Sequence, residues 1–225
     1  MSAILPGLPT FRGPNYYVPS MQYAADVMET GDVRVTLGAP VALDADGILA
    51  AQSIATAGNT TAFAATYSNA AMGRYGRNVT VVASGAATST VTIDGFDVYG
   101  QPMRETLTLN GTTPVLGVKA FKDVARVTYG ATAATTINVG WGNALGLPYR
   151  AINTALTGER VSLAVPTAGT LVAGLALATT QTATTADPRG TYQPHSGVLP
   201  DGTRTYEFIY LADTDSLHGS AHFGG

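Results

Sequence analysis

The sequence predicts an all-β protein: an antiparallel β-sandwich or barrel with an extended proline-rich N-terminal arm, long loops and very little helix. Apolar and polar residues alternate in short runs from residue 31 onward, as they do in half-buried strands. Turn signals such as Asn110-Gly111 separate these runs. The best helical candidate is one or two turns at 117–123, where Phe121 would point inward. We therefore divide the chain into an arm at residues 1–30 and a β-rich domain at residues 31–225. If this domain has two parts, we expect the boundary between them near 142–160.

The arm differs from the rest of the chain in its spacing of prolines and aromatic residues. Prolines recur every few residues, at positions 6, 9, 14 and 19. Proline at this density blocks both helix and strand pairing, so the segment is expected to be extended. Its large apolar and aromatic side chains are costly to leave in water. We expect them to bind a neighbouring subunit, in preference to the chain's own domain or a free tail, and the residues concerned are Leu5, Leu8, Phe11, Tyr16, Tyr17 and Tyr23.

The first strands of the domain are expected from Gly31 to residue 51. Alternating apolar residues predict three short strands, separated by turns at Gly38-Ala39-Pro40 and Asp46-Gly47, with the apolar positions Val33, Val35, Leu37, Val41, Leu43 and 48–51. Residues 51–76 are rich in Ala, Thr, Asn and Gly, which indicates a long loop or irregular strands.

A β-meander is predicted from Val91 to Trp141, and Val79 and Val81 lead into it. Its inward positions are Val79, Val81, Val91, Ile93, Met103, Leu107, Leu109, Val127, Tyr129, Ile137, Val139 and Trp141. At Asp94-Gly95 the alternation slips, which predicts a β-bulge that transfers Phe96 and Val98 to the apolar face. Residues 99–102 then turn the chain.

The C-terminal third is predicted to begin with a glycine-rich passage at 142–148. An alternating strand is expected at Val161, Leu163 and Val165, and an apolar one at 171–177. Residues 178–203 are predicted to form a loop. The last strand should place Tyr206, Phe208 and Tyr210 on one face, with Glu207 on the other.

The composition favours contact with other proteins. Charged residues make up 12% of the chain, about half the ~25% of an ordinary soluble domain, and Thr, Ser, Asn and Gln supply the polar surface. Such a surface costs less to desolvate, which suits an interface. The alternative is that threonine is simply a good residue for the solvated face of a strand.

Several functional classes are unfavourable for this sequence. A net charge of −3 and no cluster of Lys or Arg argue against nucleic-acid binding. The absence of cysteine excludes disulfides, cysteine-zinc sites and thiol catalysis. The N-terminus lacks the pattern of a signal peptide, and no stretch reaches the ~20 apolar residues of a membrane span. We expect neither nucleic acid nor a membrane as a partner.

Four local motifs suggest chemistry, and each has a plainer interpretation. The glycines at 140, 142 and 146 are one residue too far apart for a dinucleotide loop and are read as a turn. Asp44-Ala-Asp-Gly47 lacks the later ligands of a calcium loop and is also read as a turn. His218 and His222 have the spacing of a zinc pair on a helix, but the glycines around them argue against a helix. Ser216 or Ser220 could form a catalytic triad with His218 and Asp213, but no nucleophile elbow holds either serine. Paired carboxylates for cleaving glycosides need not be close in sequence, so that class stays open. We expect no catalytic, cofactor or metal site and no enzyme activity.

Three segments carry a resemblance to a known class of protein. They are GAPVALDADGIL at 38–49, DGFDVYGQPMRETLTL at 94–109 and DPRGTYQP at 187–194. These segments resemble tailed-bacteriophage virion proteins, in particular small head proteins of the decoration (cement) kind. The spacing of Asp97, Gly100 and the run Glu105-Thr-Leu-Thr-Leu109 is common among phage structural proteins, including tail and adaptor proteins.

The resemblance implies a mechanical function. The protein would be made in the cytoplasm of the host bacterium and would lie on the capsid exterior of the virion, where it would bind the major capsid protein and copies of itself, as a dimer or trimer. There it would stabilise the capsid against internal pressure. The alternatives are a tail or head–tail connector protein and a virion-associated glycan-binding protein.

Overall fold

The structure is a computed structural model that describes residues 30–175 and 187–213. The prediction of an all-β, antiparallel fold is confirmed, because the described residues form thirteen strands and one short 3-10 turn at Ser196–Val198. The strands are β1 (Thr30–Gly38), β2 (Asp44–Ser53), β3 (Gly58–Thr60), β4 (Arg77–Ala83), β5 (Thr90–Phe96), β6 (Pro102–Thr108), β7 (Val115–Phe121), β8 (Asp123–Tyr129), β9 (Thr136–Gly146), β10 (Arg150–Val161), β11 (Thr170–Ala173), β12 (Gly190–Gln193) and β13 (Tyr206–Asp213). Among the described residues no helix has the length and apolar character needed to cross a membrane.

The strands form three antiparallel sheets. Sheet A has the order β1-β13-β10, and sheet C has the order β3-β8-β5-β6. Sheet B has the order β11-β12-β9-β4-β7, and β2 pairs with β9. Strand β9 therefore pairs with different strands along its length: β2 lies against its first half and β12 against its last residues.

Two hydrophobic clusters fill the spaces between the sheets. The central cluster joins sheets B and C and includes Val81, Ile93, Phe121 and Trp141. The second cluster joins sheet A to the end of sheet B and is dominated by aromatic residues from the last strands, Tyr192, Tyr206, Phe208 and Tyr210. Apart from Phe96 and Val98, the meander positions expected to face inward are buried, and so are the three aromatic residues of β13.

Two details of the predicted meander are wrong. The alternation continues through β5 without a slip, so that Gly95 takes the buried position and Phe96 is exposed. The register shift does occur beside Gly95, but the additional residue belongs to the partner strand β8, where Asp94 pairs with Arg126 and Gly95 pairs with Val124. A side chain at 95 would overlap the carbonyl oxygen of Asp123, which explains the glycine.

The second wrong detail is the helical turn at 117–123. Residues 117–121 belong to β7 and Asp123 begins β8, and Phe121 is buried as expected. Between Asn78 and Thr80 of β4 the partner residue in β7 moves from Ala120 to Leu116. Residues 117–119 thus form a bulge opposite Val79, and the local pattern that suggested a helical turn is an irregular strand.

Several strand boundaries outside the meander also differ from prediction. Val41 and Leu43 are exposed in an extended segment between β1 and β2 that belongs to no strand. Residues 142–146 continue β9 instead of leaving the sheet. Strand β10 ends at Val161, so Leu163 and Val165 are not in a strand. Within the expected loop at 178–203, β12 and the 3-10 turn are ordered elements.

Candidate interaction surface

The sequence candidates for partner binding lie outside the described residues. These are Leu5, Leu8, Phe11, Tyr16, Tyr17 and Tyr23 of the arm. His218, His222, Ser216 and Ser220 also lie outside them, so the candidate zinc pair and triad stay untested predictions. Within the described part of the chain, no group of three or more His, Asp or Glu residues could hold a metal ion.

The glycines at 140, 142 and 146 have a packing role in strand β9. A Cβ at 140 would overlap the backbone oxygen of Asp44, and one at 142 would overlap the side chain of Asn78. One at 146 would overlap the backbone oxygen of Tyr75. The prediction of a turn is wrong, because the glycines instead let β2 and the start of β4 approach β9 closely.

Buried ionic groups form the most polar region of the interior. Glu105, Lys119, Asp187, Arg189 and Asp97 are all buried, at the junction of sheets B and C. The Arg189 guanidinium forms an ion pair with Asp97 and donates from Nε to the carbonyl of Leu147, at 3.1 Å. Burial of these groups away from water indicates a structural connection instead of an accessible catalytic site.

Two of these carboxylates bind the bulge of β7. The Glu105 carboxylate accepts a hydrogen bond from the Val118 N–H at 2.7 Å, and Asp187 accepts one from the Ala120 N–H at 2.9 Å. Burial raises the pKa of Glu105 to about 7, although hydrogen bonds from β7 and the charge of Lys119 oppose the shift. Burial also lowers the pKa of Lys119.

The sequence-based prediction did not include this buried ionic cluster, although the position of Glu105 in its strand is a signal for it. Glu105 lies between Met103 and Leu107, so the two-residue period of β6 places all three on the buried face. A carboxylate on an apolar face requires hydrogen-bond partners inside the protein. The partners come from β7 and from residue 187, and neither is local in sequence.

The outer face of sheet C carries threonines, one charged row and the exposed pair of Phe96 and Pro102. Thr92 and Thr106 face each other across β5 and β6, with their hydroxyls 2.9 Å apart. One row further along, Asp94 pairs with Arg104 and Arg126. Partial burial opposes the shift, but the two guanidinium groups lower the pKa of Asp94. All three charged side chains of the row are therefore paired, with one carboxylate shared by two guanidinium groups.

An exposed apolar turn follows β10. The N–H and carbonyl of Val161 bond those of Ala164 reciprocally, at 2.8 and 3.0 Å. Ser162 and Leu163 between them have φ of 50° and 70°. These are the φ values of a type I′ hairpin turn, which normally uses Asn-Gly. The Leu163 side chain is 78% exposed and that of Val165 is 81% exposed.

The base of this turn is held firmly by the body of the protein. The Ser162 N–H donates to the carbonyl of Thr205 at 2.8 Å. The Glu159 carboxylate accepts from the Gly169 N–H at 2.9 Å and from the Tyr192 hydroxyl. The backbone at the tip that carries Leu163 is therefore held by hydrogen bonds, and little of its order would be lost on binding.

The sequence interpretation assigned Leu163 and Val165 to a strand because they continue the alternation that Val161 begins. Pro166 and Gly169, which follow directly, are the local signals that could have indicated a turn. The exposure itself has no local signal, because it depends on whether another part of the fold covers these residues.

Comparisons of the chain with protein-family models, with curated proteins and with solved structures find no match.

Proposed function

We propose that this chain is a decoration protein of a tailed-bacteriophage head, which binds the outer surface of the major capsid protein and stabilises the shell. The resemblance of residues 38–49, 94–109 and 187–194 to phage head proteins supports the proposal. Two of these segments meet in the ion pair of Asp97 with Arg189. They therefore belong to the framework of the fold, which is the part that related proteins would share.

The observation that carries the proposal is the rigid apolar turn at 161–165. Burying one such side chain against a partner contributes about 1.5–3 kcal/mol, so Leu163 and Val165 together would contribute ~3–6 kcal/mol before the costs of association. A single contact of this strength is weak after those costs. On a symmetric shell the contact repeats at every copy, and multivalent attachment makes a weak contact sufficient.

The low charge of the surface is consistent with the same function. Threonine hydroxyls and compensated ion pairs lose less hydration free energy on contact than free Lys or Glu side chains do. A protein that adheres over a broad area benefits from such a surface. The mechanism would be adhesion, without conversion of a substrate.

Electron cryo-microscopy of the virion tests the location. We expect density for this chain on the head exterior, at sites that repeat over the capsid lattice and in a copy number set by that lattice. Density confined to the tail or to the head–tail junction would overturn the proposal in favour of a connector protein.

A binding experiment tests the contact. The double variant L163S/V165S, added to heads that lack the protein, should show at least tenfold weaker attachment, because ~1.4 kcal/mol corresponds to a factor of ten. The matched control is Leu116→Ser, which removes another exposed leucine, on β7. Equal attachment of the double variant, the control and the unmodified chain would exclude the turn as the contact.

A further inference from the structure

An open groove lies beside Trp141, in the extended segment between β1 and β2. Its volume is about 450 Å³, within the range of pockets that bind ligands. The lining is mostly apolar and comprises Val41, Ala42, Leu43, Asp44, Thr66, Ser68, Ala70, Ala71 and Trp141. Val41 and Leu43 are 41% and 43% exposed, whereas Trp141 is only 4% exposed and forms the floor.

The backbone of this segment has an asymmetric set of hydrogen bonds. The carbonyl of Pro40 accepts from the Gly202 N–H, at 2.9 Å. The carbonyl of Val41 accepts from Arg77, at 2.8 Å, and that of Ala42 accepts from the Trp141 indole N–H, at 2.9 Å. No described residue accepts a hydrogen bond from the N–H groups of 41–43. The carbonyl groups of 40–42 therefore hold the segment in place, while the N–H groups of 41–43 can still donate hydrogen bonds to a ligand.

A matching occupant would be extended, apolar and rich in carbonyl acceptors. A proline-rich segment has this chemistry, because each proline keeps its carbonyl but lacks an N–H. Residues 5–19 of this chain contain four prolines together with Leu5, Leu8, Phe11, Tyr16 and Tyr17. We propose that the groove of one copy binds residues 5–19 of a second copy, so that the protein self-associates by exchange of its N-terminal arms.

Charge supports the same pairing. The only charged residue of 5–19 is Arg12, and the only charged residue that lines the groove is Asp44. Asp46 lies beside Asp44, and the hydrogen bond and charge that they share raise the pKa of Asp46. An arginine placed against two adjacent carboxylates would relieve their repulsion.

The position of the chain at Thr30 favours a second copy over the same copy. Strand β1 runs for nine residues from Thr30 to Gly38, next to the groove, so Thr30 lies about 27 Å from the groove at ~3.3 Å per residue of strand. To bind its own groove, the arm would have to reverse direction. Residues 20–29 contain neither glycine nor proline, the two strongest turn residues. An arm without such a reversal would reach the groove of a neighbouring copy instead of its own.

A charge-reversal experiment on the full chain tests the proposal. The dissociation constant for self-association is measured by sedimentation equilibrium for the unmodified chain, for R12E, for D44R and for the double variant R12E/D44R. Each single reversal should weaken self-association by about tenfold, which corresponds to ~1.4 kcal/mol. The double variant restores opposite charges across the contact and should return to within about threefold of the unmodified chain. The matched control D32R makes the same change of charge at an exposed site on β1 and should have no effect.

Three outcomes would overturn the proposal. A full chain that stays monomeric at all concentrations would place the arm on its own domain or on another partner. Loss of association in both single variants without recovery in the double variant would mean that Arg12 and Asp44 do not meet. An effect of D32R equal to that of D44R would mean that the change in net charge weakens self-association, and not the loss of a contact between Arg12 and Asp44. The experiment uses the purified chain alone, so its outcome is independent of the location of the protein in a virion.

Discussion

At the scale of single residues, the unusual feature is charge inside a protein that has little charge on its surface. Glu105 is fully buried and one oxygen, Oε2, has no hydrogen-bond partner among the described residues. Its other oxygen binds the bulge of β7. A buried carboxylate of this kind makes folding depend on pH, because the folded and unfolded states bind the proton with different affinity.

Glu105→Gln should remove a pH dependence from the free energy of unfolding. Because the pKa of Glu105 is raised from 4.5 to about 7 in the folded state, the folded protein binds more protons than the unfolded chain between these values. Stability therefore falls as pH rises through this window, by ~3 kcal/mol at ~1.4 kcal/mol per pKa unit, and levels off above it. Urea unfolding at pH 5, 6, 7 and 8 should show this fall in the unmodified protein and a flatter profile in the variant. Equally steep profiles would contradict the assignment.

Trp141→Ala should destabilise the protein by about 3–5 kcal/mol, because it empties a large buried volume. It also removes the donor to the Ala42 carbonyl. At ~2–4 °C per kcal/mol for a chain of this size, Tm should fall by about 10 °C. Trp141→Phe keeps much of the packing and serves as the control, with a smaller loss. A Tm unchanged in the alanine variant would mean that the indole is not part of the core.

At the scale of elements, the turn after β10 has a conformation that its residues do not favour. Ser162 and Leu163 both have positive φ, which costs residues other than glycine of order 1 kcal/mol or more. In the turn from Asn110 to Thr113, by contrast, the residue with positive φ is a glycine, Gly111. A strained leucine at an exposed tip is consistent with a role in binding.

Replacing Ser162-Leu163 with Asn-Gly (S162N/L163G) should separate stability from adhesion. The free energy of unfolding should rise by about 1 kcal/mol, because the new residues adopt positive φ at lower cost. Attachment to phage heads should weaken, because the apolar tip is lost. S162N alone retains Leu163 and should attach normally. A double variant that attaches as well as the unmodified chain would show that the leucine at the tip is dispensable.

At the scale of the whole molecule, the two hydrophobic clusters share structure. Strand β9 contributes Trp141 to the central cluster and Leu145 to the second one. The buried pair of Asp97 and Arg189 also connects the turn after β5 with β12. Neither cluster can lose its order without exposing part of the other.

Thermal unfolding should therefore be one cooperative transition. In differential scanning calorimetry, the calorimetric enthalpy should equal the van't Hoff enthalpy. Asp97→Ala leaves the Arg189 guanidinium buried without this carboxylate and should lower the stability of both clusters together, by about 3–5 kcal/mol. Two resolved transitions would indicate two units that unfold separately, with a boundary near 142–160.

Sequence alone determined the features that are local. The two-residue alternation identified the buried positions of β4, β5, β8 and β9 and the aromatic face of β13, because successive side chains in a strand point to opposite sides. Asn110-Gly111 and residues 99–102 identified turns, because turn geometry selects its residues locally. The arm is predicted from its prolines alone, and that prediction stays untested because it lies outside the described residues.

Tertiary structure decided everything that depends on which strands become neighbours. Leu163 and Val165 alternate as Val91 and Ile93 do, yet only the latter pair is buried, because a second sheet covers β5 and none of the described residues covers the turn. The glycines of β9 predict a turn when only the local sequence is considered. In the fold they make room for Asp44 and Asn78, which lie on neighbouring strands. Glu105 is tolerated only because the bulge of β7 offers it N–H donors. Pairing between strands distant in sequence sets each of these outcomes, and periodicity within one strand contains no information about its partner.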